Sequence, residues 1–311
     1  MKLAIVILNW NAAVLTQQCV CSARAAIATL VSKTAIELIV VDNGSDVPFK
    51  ENPAVNEPPE SPRLTVIRSE QNLGFAVGMN LGIAAAMRGQ PNYIWLLNND
   101  TRIEANALNA LIAYIQHHPD KKCIGSTIID DATGDIETLG GYRYWASLSL
   151  ATPIQPKAAT RRQVADKSTP HPQNLAPSAN TIAPDYICGS AMLLRTDIID
   201  QLGGLPTTNF LYFEELNLTS AIGGRDNLGV CLELKVRHQG GASTRQLPNQ
   251  ARTYYATLAA LRYTNRHHPQ FMVSVATARI AVGVWRSIRH ANYRYATAVL
   301  RALLTFLTTK K

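Results

Sequence analysis

Residues 93–100 have the sequence YIWLLNND, in which five apolar residues run directly into two asparagines and an aspartate. An uninterrupted apolar run of this length is typical of a strand buried on both faces of a parallel sheet. Similar runs precede it at residues 3–8, 37–41 and 64–68. Helical patterns occupy residues 12–30, 75–87 and 104–117. Alternating strands and helices predict an open α/β sheet with right-handed crossovers.

Each of these four strands ends in small polar or acidic residues. The segments that follow them are Asn9-Trp10-Asn11, Asp42-Asn43-Gly44-Ser45, Asn72-Leu73-Gly74 and Asn98-Asn99-Asp100. Ligands of open α/β sheets bind beyond the carboxyl ends of the strands, so we expect a ligand site at this edge. The alternative for any single loop is that Asn, Asp, Gly and Ser simply favour turns and helix N-caps.

Three of these loops carry residues suited to a nucleotide. Asp100, at a strand end, can hold Mg²⁺ or Mn²⁺ that bridges to a diphosphate, although an aspartate before Thr101 also suits a turn. Asp42 can accept hydrogen bonds from a base or ribose. Two glycines between Asn72 and Asn80 permit close backbone approach, at a helix N-terminus that favours phosphate.

In this order, the motifs of the chain resemble those of glycosyltransferase family 2. They are ILNWN at 7–11, VDNGS at 41–45, NLGFA at 72–76, LNNDT at 97–101, CGSAMLLR at 188–195, FLYFEE at 210–215 and RHQGG at 237–241. The resemblance covers residues 3–245. It is greatest to the rhamnosyltransferase-type branch, whose members build bacterial surface polysaccharides.

The resemblance implies a GT-A fold, with a mostly parallel central sheet flanked by helices and a C-terminal helical tail. We expect a catalytic domain at residues 1–248, with a nucleotide-binding half at 1–103 and an acceptor-side half at 104–248. Residues 151–184 are rich in Pro, Ser and Thr, which predicts a flexible loop. Residues 249–311 would form the tail.

The resemblance also implies the donor site. Asp42 would contact the base, and the other nucleotide-sugar contacts would come from Asn9, Asn11, Asn72, Gly74, Asn80, Asn98 and Asn99. Asp100, the one acidic residue where the family has a D-x-D motif, and His238 would hold Mg²⁺ or Mn²⁺. The alternative for His238 is a surface residue at a strand end. Trp10, Tyr142 and Tyr212 are candidates for packing against sugar or base.

Glu214 and Glu215 follow an aromatic run and are the candidate catalytic residues. Burial and like charge raise a carboxyl pKa, which suits a general base. The family pattern here is EDxDL, so Glu215 stands at the place of the catalytic Asp and Asn217 replaces the second Asp. The structural alternative is that the two glutamates are exposed and simply begin a helix. The departures from the family pattern also leave a functional alternative, a catalytically inactive relative that binds nucleotide sugar or acts as a membrane scaffold.

The apolar content of 47% and charged content of 17% exclude a disordered chain. Ten of the 30 Lys and Arg residues lie in residues 251–311, which contain no Asp or Glu. The remaining 250 residues therefore have 20 basic and 22 acidic side chains, and show no basic groove that would indicate nucleic-acid binding. The charge of +8 belongs to the tail.

On one helical wheel, five basic tail residues fall within about 80° of one another. They are Arg279, Arg286, His290, Arg294 and Arg301. A basic stripe with Trp285 and leucines elsewhere predicts a helix lying on an anionic membrane surface, and packing against the domain is the alternative. No run of about 18 uninterrupted apolar residues predicts a membrane span.

The short apolar N-terminal run is unlike a secretory signal, and the five scattered cysteines form neither a zinc nor a disulfide pattern. We therefore expect a cytoplasmic enzyme, peripheral on the inner face of the cytoplasmic membrane. Its expected activity is inverting transfer of a sugar, plausibly L-rhamnose from dTDP-L-rhamnose, to a glycan or polyprenyl-linked glycan. A nucleotidyltransferase is the weaker alternative, because residues 9–13 lack a glycine-rich basic loop.

Overall fold

A computed structural model describes residues 1–52, 62–156, 183–241 and 245–309. The strands in these residues are β1 (Lys2–Asn9), β2 (Ala35–Asn43), β3 (Leu64–Ser69), β4 (Tyr93–Asn98), β5 (Thr101–Ile103), β6 (Cys123–Asp130), β7 (Ile136–Leu139), β8 (Gly141–Trp145), β9 (Leu150–Pro153), β10 (Tyr186–Ile187), β11 (Ala191–Arg195) and β12 (Leu228–His238). The α-helices are α1 (Ala13–Ala28), α2 (Phe75–Arg88), α3 (Ala107–His117), α4 (Thr196–Leu202), α5 (Glu214–Ala221), α6 (Asn249–His267), α7 (Met272–Arg289) and α8 (Arg294–Thr308).

The central layer is a nine-stranded sheet with the order β3-β2-β1-β4-β11-β6-β12-β5, and β7 pairs with β6 beside this path. The α/β fold class is confirmed, and β1–β4 begin and end within two residues of their predicted bounds. The sheet is less parallel than expected. Strand β11 lies antiparallel between β4 and β6, so four of the eight strand pairings are antiparallel.

The core lies on both faces of this sheet because strand side chains alternate. Ile5 and Val40 belong to the cluster that packs against α1 and α3. Val6 and Val41 belong to the opposite cluster, where a Cβ on Gly82 of α2 would overlap them. Burying each such aliphatic side chain contributes about 1.5–3 kcal/mol. The parallel strands are therefore fixed from both sides, and their carboxyl ends are held at one edge.

The expectation of a flexible loop at 151–184 is wrong at its first residues. Leu150–Pro153 form β9, which pairs with β8 in a second, three-stranded sheet of order β10-β8-β9. The Tyr142–Pro153 and Trp145–Leu150 pairs give the segment a register that its Pro-rich composition did not indicate. Residues 157–182 lie outside the described residues.

The last three helices pack together around their own apolar cluster, which includes Leu258, Leu261, Val275, Ala302 and Phe306. Helix α6 also contacts the rest of the protein. The Tyr263 hydroxyl lies 3.1 Å from that of Ser220 on α5, and the Tyr255 ring stacks on Phe210 at 4.7 Å. The Arg262 guanidinium donates to the Thr208 carbonyl. The tail is thus attached to residues on both sides of Glu214.

The predicted basic stripe does not form one exposed surface. Ala291 has a φ of +48°, which ends α7, so residues 279–301 are not one helix and the single wheel does not apply. Arg279 turns inward, where its guanidinium donates to the Ser149 carbonyl at 2.6 Å. Arg286 and His290 line a cavity between α6, α7 and α8.

The exposed surface of α7 and α8 carries apolar side chains as well as arginines. Exposed side chains recur there at helical spacing, at Val273, Ile280, Val284 and Ile288 on α7 and at Leu300, Leu304 and Leu307 on α8. We call these seven residues the apolar face. By length and composition alone, Pro269–Arg289 is also long and apolar enough to cross a membrane, with a mean hydropathy of 1.3 and 11% of its 18-residue window buried.

Candidate active site

Asn9 organises the edge where the parallel strands end. It pairs in register with Asp42 of β2 and is fully buried. Its amide donates to the Asp42 carboxylate and the Ser45 hydroxyl, both at 3.1 Å, and its carbonyl oxygen accepts from the Thr16 hydroxyl at 2.7 Å. Asn9 therefore fixes the loops after β1 and β2 from beneath the surface.

Asp42 lies in the same buried network, and its side chain is 1% exposed. It accepts from the Phe49 backbone N–H at 3.0 Å and from the Arg68 guanidinium at 2.5 Å. Burial opposes ionisation, but hydrogen bonds from Ser45, Phe49, Arg68 and Asn9 outweigh it and lower the Asp42 pKa. Within the described residues its carboxylate holds these loops together, and contact with a nucleotide base stays a prediction.

Asn11 and Asn80 also fasten loops. Asn11 exchanges two hydrogen bonds with Asp46, at 3.1 and 2.8 Å. Asn80 exchanges two with the Leu205 backbone, at 3.0 and 2.8 Å. Neither side chain lines the cavities described below, as far as the structure describes them. Direct contact of either residue with a nucleotide sugar stays a prediction.

The loop between β3 and α2 requires glycine at Gly74. Its φ is +82°, and a Cβ there would overlap the Phe210 carbonyl, to which the Phe75 N–H donates at 3.0 Å. The Asn72 carbonyl oxygen accepts from the Gly74 N–H at 2.9 Å and from the Asn43 amide at 3.1 Å. The loop is therefore held between Asn43 and the backbone at Phe210.

These loops enclose a cavity of about 90 Å³, which we call the Asp100 cavity. Its polar lining residues are Asn43, Asn72, Asn98, Asn99 and Asp100, and Trp10 and Gly74 also line it. Four of the eight residues expected to contact the nucleotide sugar line it, namely Asn72, Gly74, Asn98 and Asn99. Phe210, Leu211 and Leu247 supply apolar lining to the same cavity.

Strand pairing brings Asp100 and His238 together across 138 positions of sequence. Thr101 pairs with His238 in the β5–β12 ladder, and the Gln239 N–H donates to the Asp100 carbonyl. The His238 Nε2 lies 3.5 Å from the Asp100 carboxylate, and its Nδ1 lies 2.9 Å from Glu137. Burial alone would lower the His238 pKa. The hydrogen bonds and negative charges of Asp100 and Glu137 outweigh the effect of burial, and they raise the His238 pKa to about 9.

A second cavity of about 330 Å³, the Glu215 cavity, adjoins the first. The two share Phe75, Asn98 and Leu211 as lining residues. Glu214 and Glu215 line the second cavity together with Glu137, His238, Tyr142, Tyr186 and Tyr212. The candidate metal ligands and the candidate base thus lie along one continuous space.

The backbone before α5 turns both glutamates toward this space. Tyr212 and Phe213 have φ values of +74° and +70°, which are uncommon for residues with a side chain and cost free energy. Glu215 lies against the backbone of Gly189, where any Cβ would overlap its carboxylate. The turn between β10 and β11 is therefore shaped around the Glu215 side chain.

Burial raises the pKa of both carboxyl groups, and more strongly for Glu214, which is 4% exposed. The charge of Glu215 raises the Glu214 pKa further. The Glu214 Oε1 has no hydrogen-bond partner among the described residues. The two carboxyl groups are coupled, so ionisation of either one raises the pKa of the other.

Asn217, the second departure from the EDxDL pattern, serves its own helix. Its amide donates to the Phe213 carbonyl at 2.8 Å, and the side chain is buried. It lines neither cavity in the part of the chain that the structure describes. Asn217 therefore contributes no side chain to the Asp100 cavity or the Glu215 cavity.

The sequence model of "Glycosyl transferase family 2" matches residues 4–199, which is more than half of the chain. The protein belongs to glycosyl transferase family 2. It is a glycosyltransferase with the GT-A fold. Comparison with curated protein sequences finds no match.

Solved structures similar to this glycosyltransferase share its fold at low sequence identity. S. aureus TarS 1-349 in complex with UDP-GlcNAc is 13% identical, with 99% of this chain and 81% of that one covered and a TM-score of 0.54. The mannosyltransferase PcManGT from Pyrobaculum calidifontis, in complex with GDP-Man and Mn²⁺, is 12% identical, with 99% and 88% covered and a TM-score of 0.52. GalNAc-T7 with UDP, GalNAc and Mn²⁺ is 13% identical, with 84% and 51% covered and a TM-score of 0.50.

The donor set of this glycosyltransferase fits a divalent ion that takes most of its ligands from the substrate. No group of three or more His, Cys, Asp or Glu side chains arranged for a metal occurs among the described residues. Asp100 and His238 supply an oxygen and a nitrogen 3.5 Å apart, and the His238 nitrogen would become a ligand when a metal displaces its proton. Mg²⁺ is commonly bound by one or two protein ligands together with substrate phosphates and water.

Sequence reasoning missed several residues of this glycosyltransferase site. Asn43 braces the Asn72 loop, and Glu137 orients His238 through its Nδ1. Asn43 stands inside a quoted motif and could have been found from its place after β2. Glu137 lies on β7 in no motif, and only the pairing of β7 with β6 brings it to the site.

Proposed function

We propose that this glycosyltransferase is an inverting enzyme that transfers L-rhamnose from a nucleotide-diphosphate donor to a polyprenyl-linked glycan in cell-surface polysaccharide synthesis. The observation that carries the proposal is the continuity of the Asp100 and Glu215 cavities through Phe75, Asn98 and Leu211. It supports binding of the donor diphosphate beside Asp100 and of the acceptor beside Glu215, with the sugar between them.

In the proposed reaction, the acceptor hydroxyl oxygen attacks the anomeric carbon from the face opposite the diphosphate. The bond from that carbon to the diphosphate oxygen breaks, and its electron pair leaves with the diphosphate. Glu215 takes the hydroxyl proton, for which its raised pKa is suited. A single displacement of this kind inverts the anomeric configuration.

Asp100 and His238 would hold Mg²⁺ or Mn²⁺ in this site. A bound divalent ion offsets negative charge on the departing diphosphate. Glu137 accepts from the His238 Nδ1 side and so directs Nε2 toward Asp100. The presence of Mn²⁺ in the PcManGT and GalNAc-T7 structures supports this assignment.

The choice of donor and acceptor rests on the order of the motifs, which resembles the rhamnosyltransferase-type branch. The similar structures contain UDP, UDP-GlcNAc or GDP-Man, which supports a nucleotide-sugar donor in general. Asn72, Asn98 and Asn99 line the Asp100 cavity, which supports a role for them in contacting its sugar and phosphates.

The acceptor assignment is supported by the apolar face, which suits the surface of an anionic membrane, on its cytoplasmic side. Arg289, Arg294 and Arg301 are exposed on the same two helices, and no carboxylate occurs from residue 249 onward. Apolar side chains flanked by arginine are typical of helices lying in a membrane interface. Arg279, bonded to Ser149, favours a helix lying on the membrane over one crossing it.

The proposal is tested by a transfer assay with a panel of dTDP-, UDP- and GDP-sugars and a polyprenyl-linked acceptor, with the product anomer determined by NMR. We expect transfer with inversion from dTDP-L-rhamnose. Retention of configuration would overturn the mechanism. Donor binding without turnover across the panel would instead support a catalytically inactive relative.

A further inference from the structure

A cavity of about 610 Å³ lies between helices α6, α7 and α8, and we call it the helix cavity. Three basic side chains line it, Arg252 from α6 and Arg286 and His290 from α7. Tyr212 lines both this cavity and the Glu215 cavity, so the two are neighbours across one side chain. Its volume lies within the range of small-molecule sites.

The positive charge of the helix cavity has no counter-charge. None of its lining residues is acidic, and Arg252, Arg286 and His290 form no ion pair among the described residues. The buried Arg252 Nε also lacks an acceptor in the described chain, although one terminal nitrogen donates to Asn249. Cationic groups collected in a concave site without carboxylates attract an anion.

The chemistry of the lining matches a phosphate ester. Planar guanidinium groups bind phosphate oxygens through two parallel hydrogen bonds. The Tyr295 hydroxyl accepts from the Asn249 amide at 3.0 Å, which leaves its own hydrogen to donate. Trp285 also lines the cavity and is 57% exposed, so it stands at the mouth on α7, the helix that carries the larger part of the apolar face.

We propose that the helix cavity binds the phosphate groups of a lipid-linked acceptor, an inference that rests on the proposed function. The apolar chain would lie along the apolar face, the phosphates between Arg252 and Arg286, and the sugar would pass Tyr212 to reach Glu215. The three basic residues that line the helix cavity thus recognise the acceptor, while Arg289, Arg294 and Arg301 lie outside it.

Direct binding tests the proposal without any sugar nucleotide. Farnesyl diphosphate and inorganic pyrophosphate are titrated calorimetrically into the full chain at 150 mM salt. We compare the variant Arg252→Gln/Arg286→Gln with Arg88→Gln/Arg266→Gln, which removes the same charge from exposed positions outside the helix cavity. We expect a loss of about tenfold or more for each cavity arginine and little change in the control.

Equal affinity of the two double variants, or no saturable binding by the unmodified chain, would overturn the site. Pyrophosphate binding as tight as farnesyl diphosphate would overturn the assignment to a lipid. If the cavity variant does not fold, Arg286→Gln against Arg266→Gln gives the same comparison. Because no donor is present, failure of the donor assay would contradict the proposed function and leave these binding results standing.

Discussion

Glu214 and Glu215 are adjacent in the chain but differ in environment, and this difference predicts separate roles. Glu215→Gln should lower the transfer rate by about 10²–10⁴-fold, because the general base is lost, while nucleotide affinity stays unchanged. The Glu215→Asp variant, which has the residue typical of the family, should retain most of the transfer rate of the unmodified enzyme. Steady-state kinetics with donor binding measured separately would show the division.

The control for that series is Glu233→Gln, which removes an exposed carboxylate on β12 that lines neither cavity within the described chain. Its kinetics should equal those of the unmodified enzyme. A Glu215→Gln variant that transfers at the normal rate would remove Glu215 from the reaction.

The pH dependence distinguishes the two glutamates further. Because burial raises the Glu215 pKa, the rate should rise with pH through a midpoint above 4.5, the ordinary value for glutamate. We expect Glu214, the more deeply buried of the two, to remain neutral, so Glu214→Gln should leave that midpoint nearly unchanged. A midpoint that falls in the Glu214→Gln variant would show that Glu214 carries charge in the active form.

At the scale of the element, α7 and α8 present the apolar face. Val284→Asp and Leu304→Asp place a charge within it and should reduce binding to vesicles containing anionic lipid, as measured by co-sedimentation. Val31→Asp is the matched control, since Val31 is 91% exposed on the loop between α1 and β2. Equal vesicle binding by all three variants would show that the apolar face does not bind the membrane.

The strands and the tail differ in how well the sequence predicts them. Residues 93–97 are apolar without interruption because β4 is covered on both faces, so the pattern alone locates the strand. To predict which faces of the tail are exposed, one must know where α7 ends, and that end depends on the positive φ of Ala291. Nothing local distinguishes this alanine from a helical one, so the predicted stripe joined Arg279 to Arg301 across a break.

At the scale of the molecule, the tail is attached through its own core. Deleting residues 272–311 would uncover Leu258 and Leu261, which pack against Val275 and Phe306. The truncated chain should melt at a lower temperature and aggregate, because each uncovered leucine loses about 1.5–3 kcal/mol of burial. Calorimetry checks this, and an unchanged melting temperature would mean that the tail is not part of the same folded unit.

The site itself is only partly predictable because its parts come from distant positions. Asp100, His238 and Glu215 can be selected from the motif order, and the structure brings them to two adjoining cavities. Asp42 has the same sequence signal as Asp100, yet it is enclosed by Arg68 and Phe49 and faces inward. Which strand-end carboxylate faces the ligand depends on those tertiary contacts, and a strand-end pattern does not contain them.

The central claim is that a nucleotide sugar binds beside Asp100 with a divalent metal. It is tested by thermal denaturation of the full chain with dTDP-, UDP- and GDP-sugars, each with and without Mn²⁺, alongside Asp100→Asn. We expect at least one donor to raise the melting temperature in a Mn²⁺-dependent manner, and Asp100→Asn to abolish that dependence. A panel in which no donor stabilises the protein, or in which Asp100→Asn responds to Mn²⁺ as the unmodified chain does, would contradict the claim.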